Sequence, residues 1–154
     1  MLYYLSLGAN LGNREQTIRL ALQMIEQRAG HILRCSAFYY STPWGFQSEN
    51  DFCNLCCSLE CDKTPLEVLG ITQSIECALG RTKKTATRPQ SSIPSYSDRP
   101  IDIDLIRAID DSGVEIRCNI DQMVNGQMVN ILTLPHHLWQ ERDFVKVPLA
   151  EIMQ

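Results

Sequence analysis

Apolar residues dominate positions 3–7, and the Gly8-Ala9-Asn10-Leu11-Gly12 stretch that follows closes the run. A short strand entering a glycine-containing turn has this pattern. The period then changes. Ile18, Ala21, Leu22 and Ile25 recur at helical spacing, Asn13 with Gln16 supplies a capping box ahead of them, and Gly30 stops the helix. Arg14, Glu15, Arg19 and Gln23 fall on the exposed face of this helix.

Residues 31–40 are rich in β-formers and aromatics and predict a second strand, ended by the Ser41-Thr42-Pro43-Trp44-Gly45 turn; residues 51–61 predict a third. Thr64 caps a second helix, with Pro65 at its first position, Glu67 three residues after the cap, and Val68, Ile71, Ile75, Ala78 and Leu79 as the buried stripe before Gly80. No period survives from residue 81 to 100, where Thr, Ser, Pro, Lys and Arg dominate. Structureless loops of that length inside a compact domain are usually functional or disordered. A fourth strand covers residues 101–109, and Asp110-Asp111-Ser112-Gly113 turns the chain toward edge strands at 114–118 and 128–132. The order β-α-β-β-α-β plus extra strands is α+β. It predicts a ferredoxin-like α/β sandwich, a mainly antiparallel sheet with the two helices packed on one side.

A chain of 154 residues fits a single domain spanning 1–154, and its 44% hydrophobic and 21% charged residues are ordinary for a soluble globular protein. The net charge of −4 argues against a general nucleic-acid binder, whose affinity needs clustered Lys and Arg. The first residues lack the basic start of a signal peptide and no apolar run reaches membrane-spanning length, so the expected location is the cytoplasm. Seven cysteines without an export signal point to reduced thiols. Cys53-Asn54-Leu55-Cys56 matches CxxC, but on a strand residues an odd number apart diverge, so both read as small apolar residues.

The chemistry concentrates in three places. On the fourth strand Asp102 and Asp104 share a face, about 7 Å apart along the backbone, while Ile101, Ile103 and Leu105 take the other. Such a pair reads either as the solvated side of an alternating strand or as hard oxygen ligands for Mg²⁺. Arg81, Lys83, Lys84, Arg88 and Arg99 precede it and are able to offset a polyphosphate, although alone they read as a solvated loop. Second, Phe52 and Asn54 share a face of the third strand beside the Ser41–Phe46 turn, which suits a flat heterocycle as well as simple packing. Third, in Leu134-Pro135-His136-His137 through Arg142-Asp143-Phe144, His136 and Arg142 are candidate phosphate donors and Phe144 a second stacking face. The adjacent histidines lack the partners of a structural zinc site, and His137 reads as a surface turn at a helix start.

Five segments in order resemble the hydroxymethyldihydropterin pyrophosphokinase family: residues 6–12; Thr42-Pro43-Trp44-Gly45 with Phe52 and Asn54; Ile75-Glu76 to Gly80-Arg81; residues 99–104; and Leu134-Pro135-His136 to Phe144 with Pro148-Leu149. The resemblance implies a pyrophosphoryl transfer from ATP to 6-hydroxymethyl-7,8-dihydropterin in folate biosynthesis, by a monomer that takes small-molecule substrates. Two Mg²⁺ ions would sit on Asp102 and Asp104, with Arg81 and Arg99 also catalytic. ATP would meet Gln73, Glu76, Arg81, Lys83, Tyr96, Arg99, Thr133, His136 and Arg142. The pterin would lie among Ser41, Thr42, Pro43, Trp44, Phe52, Asn54 and Phe144. Departures from the family pattern are a long 81–99 loop, Tyr96 in place of Trp, Lys83 in place of Arg, an extended 108–131 connection and a short end after Leu149. The competing readings are a phosphotransferase acting on another alcohol, which would release ADP rather than AMP, and a non-catalytic ferredoxin-like module.

Overall fold

A computed structural model describes residues 1–42, 51–80 and 100–153. Within them the order is β1 (Leu2–Ala9), α1 (Arg14–Arg28), β2 (His31–Cys35), β3 (Tyr39–Ser41), β4 (Phe52–Glu60), α2 (Pro65–Ala78), β5 (Asp102–Ile109), β6 (Cys118–Val124), β7 (Gln127–Leu134) and α3 (Asp143–Ile152), with a 3-10 turn at Trp139–Glu141 before α3. The main sheet runs β2-β4-β1-β5, with β3 continuing the β2 edge along β4. Every pairing in it is antiparallel. The mixed α+β character and antiparallel sheet are those expected from the chain pattern.

Alternation along β1 and β4 divides the interior. Tyr3, Leu5, Leu7 and Ala9 of β1 and Cys53, Leu55, Cys57 and Leu59 of β4 face the α1 and α2 layer, where Ile18, Ile25, Val68 and Ile75 meet them fully buried. Each such aliphatic side chain contributes about 1.5–3 kcal/mol by leaving water. Cys53 and Cys56 point to opposite faces, all seven cysteines are free thiols, and burial pushes the Cys56 thiol up to about 12, which keeps it inert.

The second face carries a helix that the chain pattern marked only by a helix start near His137. Tyr4, Cys56 and Ile106 pack beneath Val145, Leu149 and Ile152 of α3, so a third helix covers part of the sheet on the side away from α1 and α2. Other boundaries also differ. Residues 31–40 form two strands, because the Ser36 hydroxyl accepts from the Cys56 N–H and donates to the Ala37 carbonyl, which diverts the backbone between β2 and β3. The strand expected at 114–118 is reduced to a single bridge between Ile109 and Glu115. Its successor starts at Cys118 and pairs with β7 in a separate two-stranded sheet. The turn joining them is Asn125-Gly126, with φ of 50° and 81°, the positive-φ pair of a two-residue hairpin. On α2, Thr72 rather than Ala78 completes the buried stripe.

The α2 start forms the whole of its expected capping box and the α1 start one half of it. The Asn13 side chain accepts from the Gln16 N–H, and at α2 the Thr64 hydroxyl accepts from the Glu67 N–H while the Glu67 carboxylate accepts from the Thr64 N–H. Thr64→Ala breaks this reciprocal box and is expected to destabilise the protein by ~1 kcal/mol in urea unfolding. An unchanged urea midpoint would show that the box contributes nothing.

Candidate active site

The site lies on the α3 side of the sheet, where that helix stops short. Register sets its layout: Asp102 stands opposite Gly8, which stands opposite Asn54, which stands opposite Tyr39, so four strands contribute to one row. In the next row Asp104 faces Ser6 and Ser6 faces Cys56. A recess opens over these rows, lined by Ser6, Gly8, Ser41, Phe52, Asn54, Asp102, Asp104 and Phe144. Phe52 from β4 and Phe144 from the first turn of α3 thus border one space with both carboxylates.

The chemistry is graded across the recess. At the β4 end Asn54 is buried, and its amide nitrogen donates to the Tyr39 carbonyl at 3.1 Å and to the Ser41 hydroxyl at 2.8 Å. Those bonds fix the amide orientation and leave its oxygen as the acceptor toward a ligand. Gly8 lies beneath it, and a Cβ added there would stand 2.9 Å from that oxygen and 3.7 Å from the Phe52 ring. Glycine inside a strand is the signal for such a close approach, and this residue was absent from the candidate set.

At the β5 end Asp102 and Asp104 are half-buried on the recess face, as strand parity requires, while Ile101, Ile103 and Leu105 are buried on the other. A bulge ends the regular ladder, since Leu105 pairs with Leu5 and Arg107 with Tyr4, leaving Ile106 extra. The Ile106 carbonyl accepts the His136 N–H at 2.8 Å, which draws the 135–142 segment to this strand. His136 Nδ1 accepts the Leu138 N–H at 3.2 Å, so the neutral ring carries its proton on Nε2. Burial, then the nearby Arg142 and His137 charges, lower its pKa to about 4 against the opposing pull of Asp102. Arg142 is buried with its guanidinium 5.8 Å over the Phe144 ring, and His136 and His137 stack at 5.1 Å.

The remaining candidates fall elsewhere. Glu76 accepts the Ile103 N–H at 2.7 Å on the open edge of β5, Gln73 is exposed on α2, and the Thr133 hydroxyl bonds to the Asn119 and Asn130 side chains on the hairpin. None of these three lines the recess, and Thr42 is exposed beside it. Pro43, Trp44, Arg81, Lys83, Lys84, Arg88, Tyr96 and Arg99 lie outside the described residues.

The donor set suits a hard cation bound together with phosphate. Two carboxylates present oxygen atoms, and among the described residues no group of three or more His, Cys, Asp or Glu side chains forms a complete cage.

Residues 4–154 match the sequence profile of the 7,8-dihydro-6-hydroxymethylpterin-pyrophosphokinase family. The chain belongs to this family. It is 38% identical over 149 residues to the 2-amino-4-hydroxy-6-hydroxymethyldihydropteridine pyrophosphokinase of Porphyromonas gingivalis, covering 97% of this chain and 88% of that protein. The Bacillus subtilis protein of the same name is 30% identical over 152 residues, covering 98% and 77%. Among solved structures, an HPPK-DHPS chain in complex with substrates superposes with a TM-score of 0.67 at 14% identity, covering 98% of this chain and 40% of that one. That likeness extends the family's fold to the arrangement described here.

Two measurements probe the geometry. Gly8→Ala forces a contact below 3 Å with Asn54 and is expected to cost ~1–3 kcal/mol. Combined with Asn54→Ala it should cost less than the sum of the two single changes, whereas strict additivity in urea unfolding would mean that a Cβ at position 8 meets something other than Asn54. For His136, an NMR titration of the metal-free protein should give a midpoint of about 4 instead of the ordinary 6.5. Because the folded pKa is depressed, the unfolded chain binds the proton first as pH falls, and the stability from this neutral ring should drain away between 6.5 and about 4. A midpoint near 6.5 would contradict the burial.

Proposed function

We propose that this chain transfers the pyrophosphoryl group of ATP to the hydroxymethyl oxygen of 6-hydroxymethyl-7,8-dihydropterin, giving the pterin diphosphate and AMP. The observation that carries the reading is one recess bordered by two aromatic rings, an oriented amide oxygen and two carboxylates. A pterin is a flat ring system with N–H donors on its amino edge. It fits between Phe52 and Phe144 with that edge toward Asn54 and Ser41, in the neutral, hydrogen-bonding end of the recess. Thr42, Pro43 and Trp44 complete this subsite.

Asp102 and Asp104 would hold two Mg²⁺ ions, which would supply charge neutralisation on the ATP phosphates. His136 donates from Nε2 and Arg142 contributes a fixed positive charge, while Arg81, Lys83, Tyr96 and Arg99 contact the nucleotide, with Arg81 and Arg99 catalytic. Gln73, Glu76 and Thr133 serve the nucleoside end. The pterin hydroxyl oxygen forms the new bond to the β-phosphorus, the bond from that phosphorus to the α-phosphate oxygen breaks, AMP takes the electron pair, and the hydroxyl proton passes to solvent. No strong general base is required. Alignment and charge stabilisation supply most of the acceleration in phosphoryl transfer, so the protein's task is to hold the two substrates in line.

Residues 1–154 act as one domain and as a monomer on small-molecule substrates, without nucleic acid, in the cytoplasm. No helix among the described residues is long and apolar enough to cross a membrane.

Incubation with ATP, Mg²⁺ and the dihydropterin should yield AMP and the pterin diphosphate; ADP as the nucleotide product would indicate a simple phosphoryl transferase. Asp102→Ala and Asp104→Ala should each reduce kcat by about 10³-fold or more while thermal unfolding stays cooperative. Near-normal turnover in both variants would remove the metal-site assignment.

A further inference from the structure

Arg14 and Glu15, at the start of α1, are packed rather than solvated. Arg14 Nη1 donates to the Asp51 carbonyl at 2.8 Å, and its guanidinium lies 5.4 Å from the centre of the Tyr40 ring. The Tyr40 hydroxyl donates to Glu15 Oε2 at 2.7 Å. One turn on, the Arg19 guanidinium lies 5.3 Å over Phe38. The side chains of Arg14 and Glu15 are only 28% and 29% exposed, so both are packed on what they touch.

These contacts end on the chain that builds the aromatic end of the recess. Tyr40 precedes Ser41 and pairs with Cys53, while Asp51 precedes Phe52, and Phe52 pairs with Ser41. Helix α1 therefore grips the C-terminal end of β3 and the N-terminal approach to β4 from outside the site. A cation in the first turn of a helix opposes the helix dipole, so Arg14 gains nothing there from α1 itself. The ion pair with Glu15, at 4.0 Å, is also too long to account for it. The charge-assisted bond to a backbone carbonyl and the stacking on Tyr40 do account for it.

We propose that Arg14, with Glu15 as its partner on Tyr40, is a positioning residue for the aromatic subsite: it sets the distance between the β3 and β4 ends and hence the placement of Ser41, Phe52 and Asn54. Arg14 does not touch substrate. This role rests on the pyrophosphokinase reading given above.

The test compares wild type, Arg14→Ala, Arg14→Lys and Asn54→Ala by isothermal titration with 6-hydroxymethyl-7,8-dihydropterin at saturating Mg²⁺ and α,β-methylene ATP. Affinity for the ATP analogue and Tm are measured in parallel. Arg14→Ala is expected to weaken dihydropterin binding about tenfold and to leave analogue binding within about twofold. Arg14→Lys should fall between, because lysine donates to the carbonyl but does not stack as a flat guanidinium does. A merely structural role would lower Tm and weaken both ligands together. That result, or unchanged dihydropterin affinity in Arg14→Ala, overturns the proposal. The functional reading fails separately, if wild type takes up no dihydropterin; weakening in Asn54→Ala without weakening in Arg14→Ala sinks the positioning role alone.

Discussion

Everything on the functional face depends on how β1 sits between β4 and β5. Because side chains alternate, the register that pairs Gly8 with both Asn54 and Asp102 also sends Leu5, Leu7 and Ala9 into the α1 and α2 layer. A slip of one residue on either side would send Asp102 or Asn54 into that apolar core, where an unpaired polar group costs several kcal/mol. The hydrophobic core thus fixes the site's row of residues without touching it. The bulge at Ile106 comes only after both carboxylates, so it re-aims the later part of β5 toward α3 and leaves the Asp102 and Asp104 spacing regular.

The recess exists because the two faces of the sheet are covered unequally. On one face α1 and α2 seal the length of β1 and β4. On the other, Val145, Leu149 and Ile152 of α3 cover Tyr4, Cys56 and Ile106, with Leu2 and Ile109 packed beside them, and leave the row of Gly8 open. Where the helix begins, Phe144 becomes the rim, and the uncovered rows hold the residues that are too polar to be sealed. The irregular segment between β2 and β3 ties the layers together. The Ala37 N–H donates to Glu151 of α3, while Phe38 and Tyr40 lie under the cations of α1.

Much of this was legible in the chain because periods of 2 and 3.6 are strong signals. Asp102 and Asp104 with their three buried neighbours, the Thr64 box and the divergence of Cys53 from Cys56 all follow from spacing alone. What was missed depends on contacts between segments distant in sequence. Gly8 carries no side chain to flag it, and its importance appears only when Asn54 stands opposite. Arg14 and Glu15 look like any exposed helix face until Tyr40 and Asp51 are brought beneath them. Ser36 breaks a run of β-formers through a hydroxyl bonded to a strand twenty residues on, a choice no local propensity encodes. The Asn125-Gly126 turn is different, since its dipeptide signals a hairpin directly and the strand boundaries around it were placed without using it. Helix α3 is short and contains Pro148, which weakens its period as a sequence signal.

The arrangement of donors and acceptors argues for an order of polarity along the recess. At the Phe52 end the Asn54 amide nitrogen is already committed to Tyr39 and Ser41, so a ligand there meets its uncharged acceptor oxygen between rings. At the other end the two aspartates meet a segment that supplies donors, with His136 held neutral by burial and by the charge of Arg142. A positively charged imidazole beside Asp102 would compete with a metal ion for the carboxylate; a neutral one donates a single hydrogen bond and leaves that charge available. The low His136 pKa therefore keeps a neutral donor beside the carboxylate pair. Such a gradient is what the proposed reading asks for, with a heterocycle at one end and a metal-bound polyphosphate at the other.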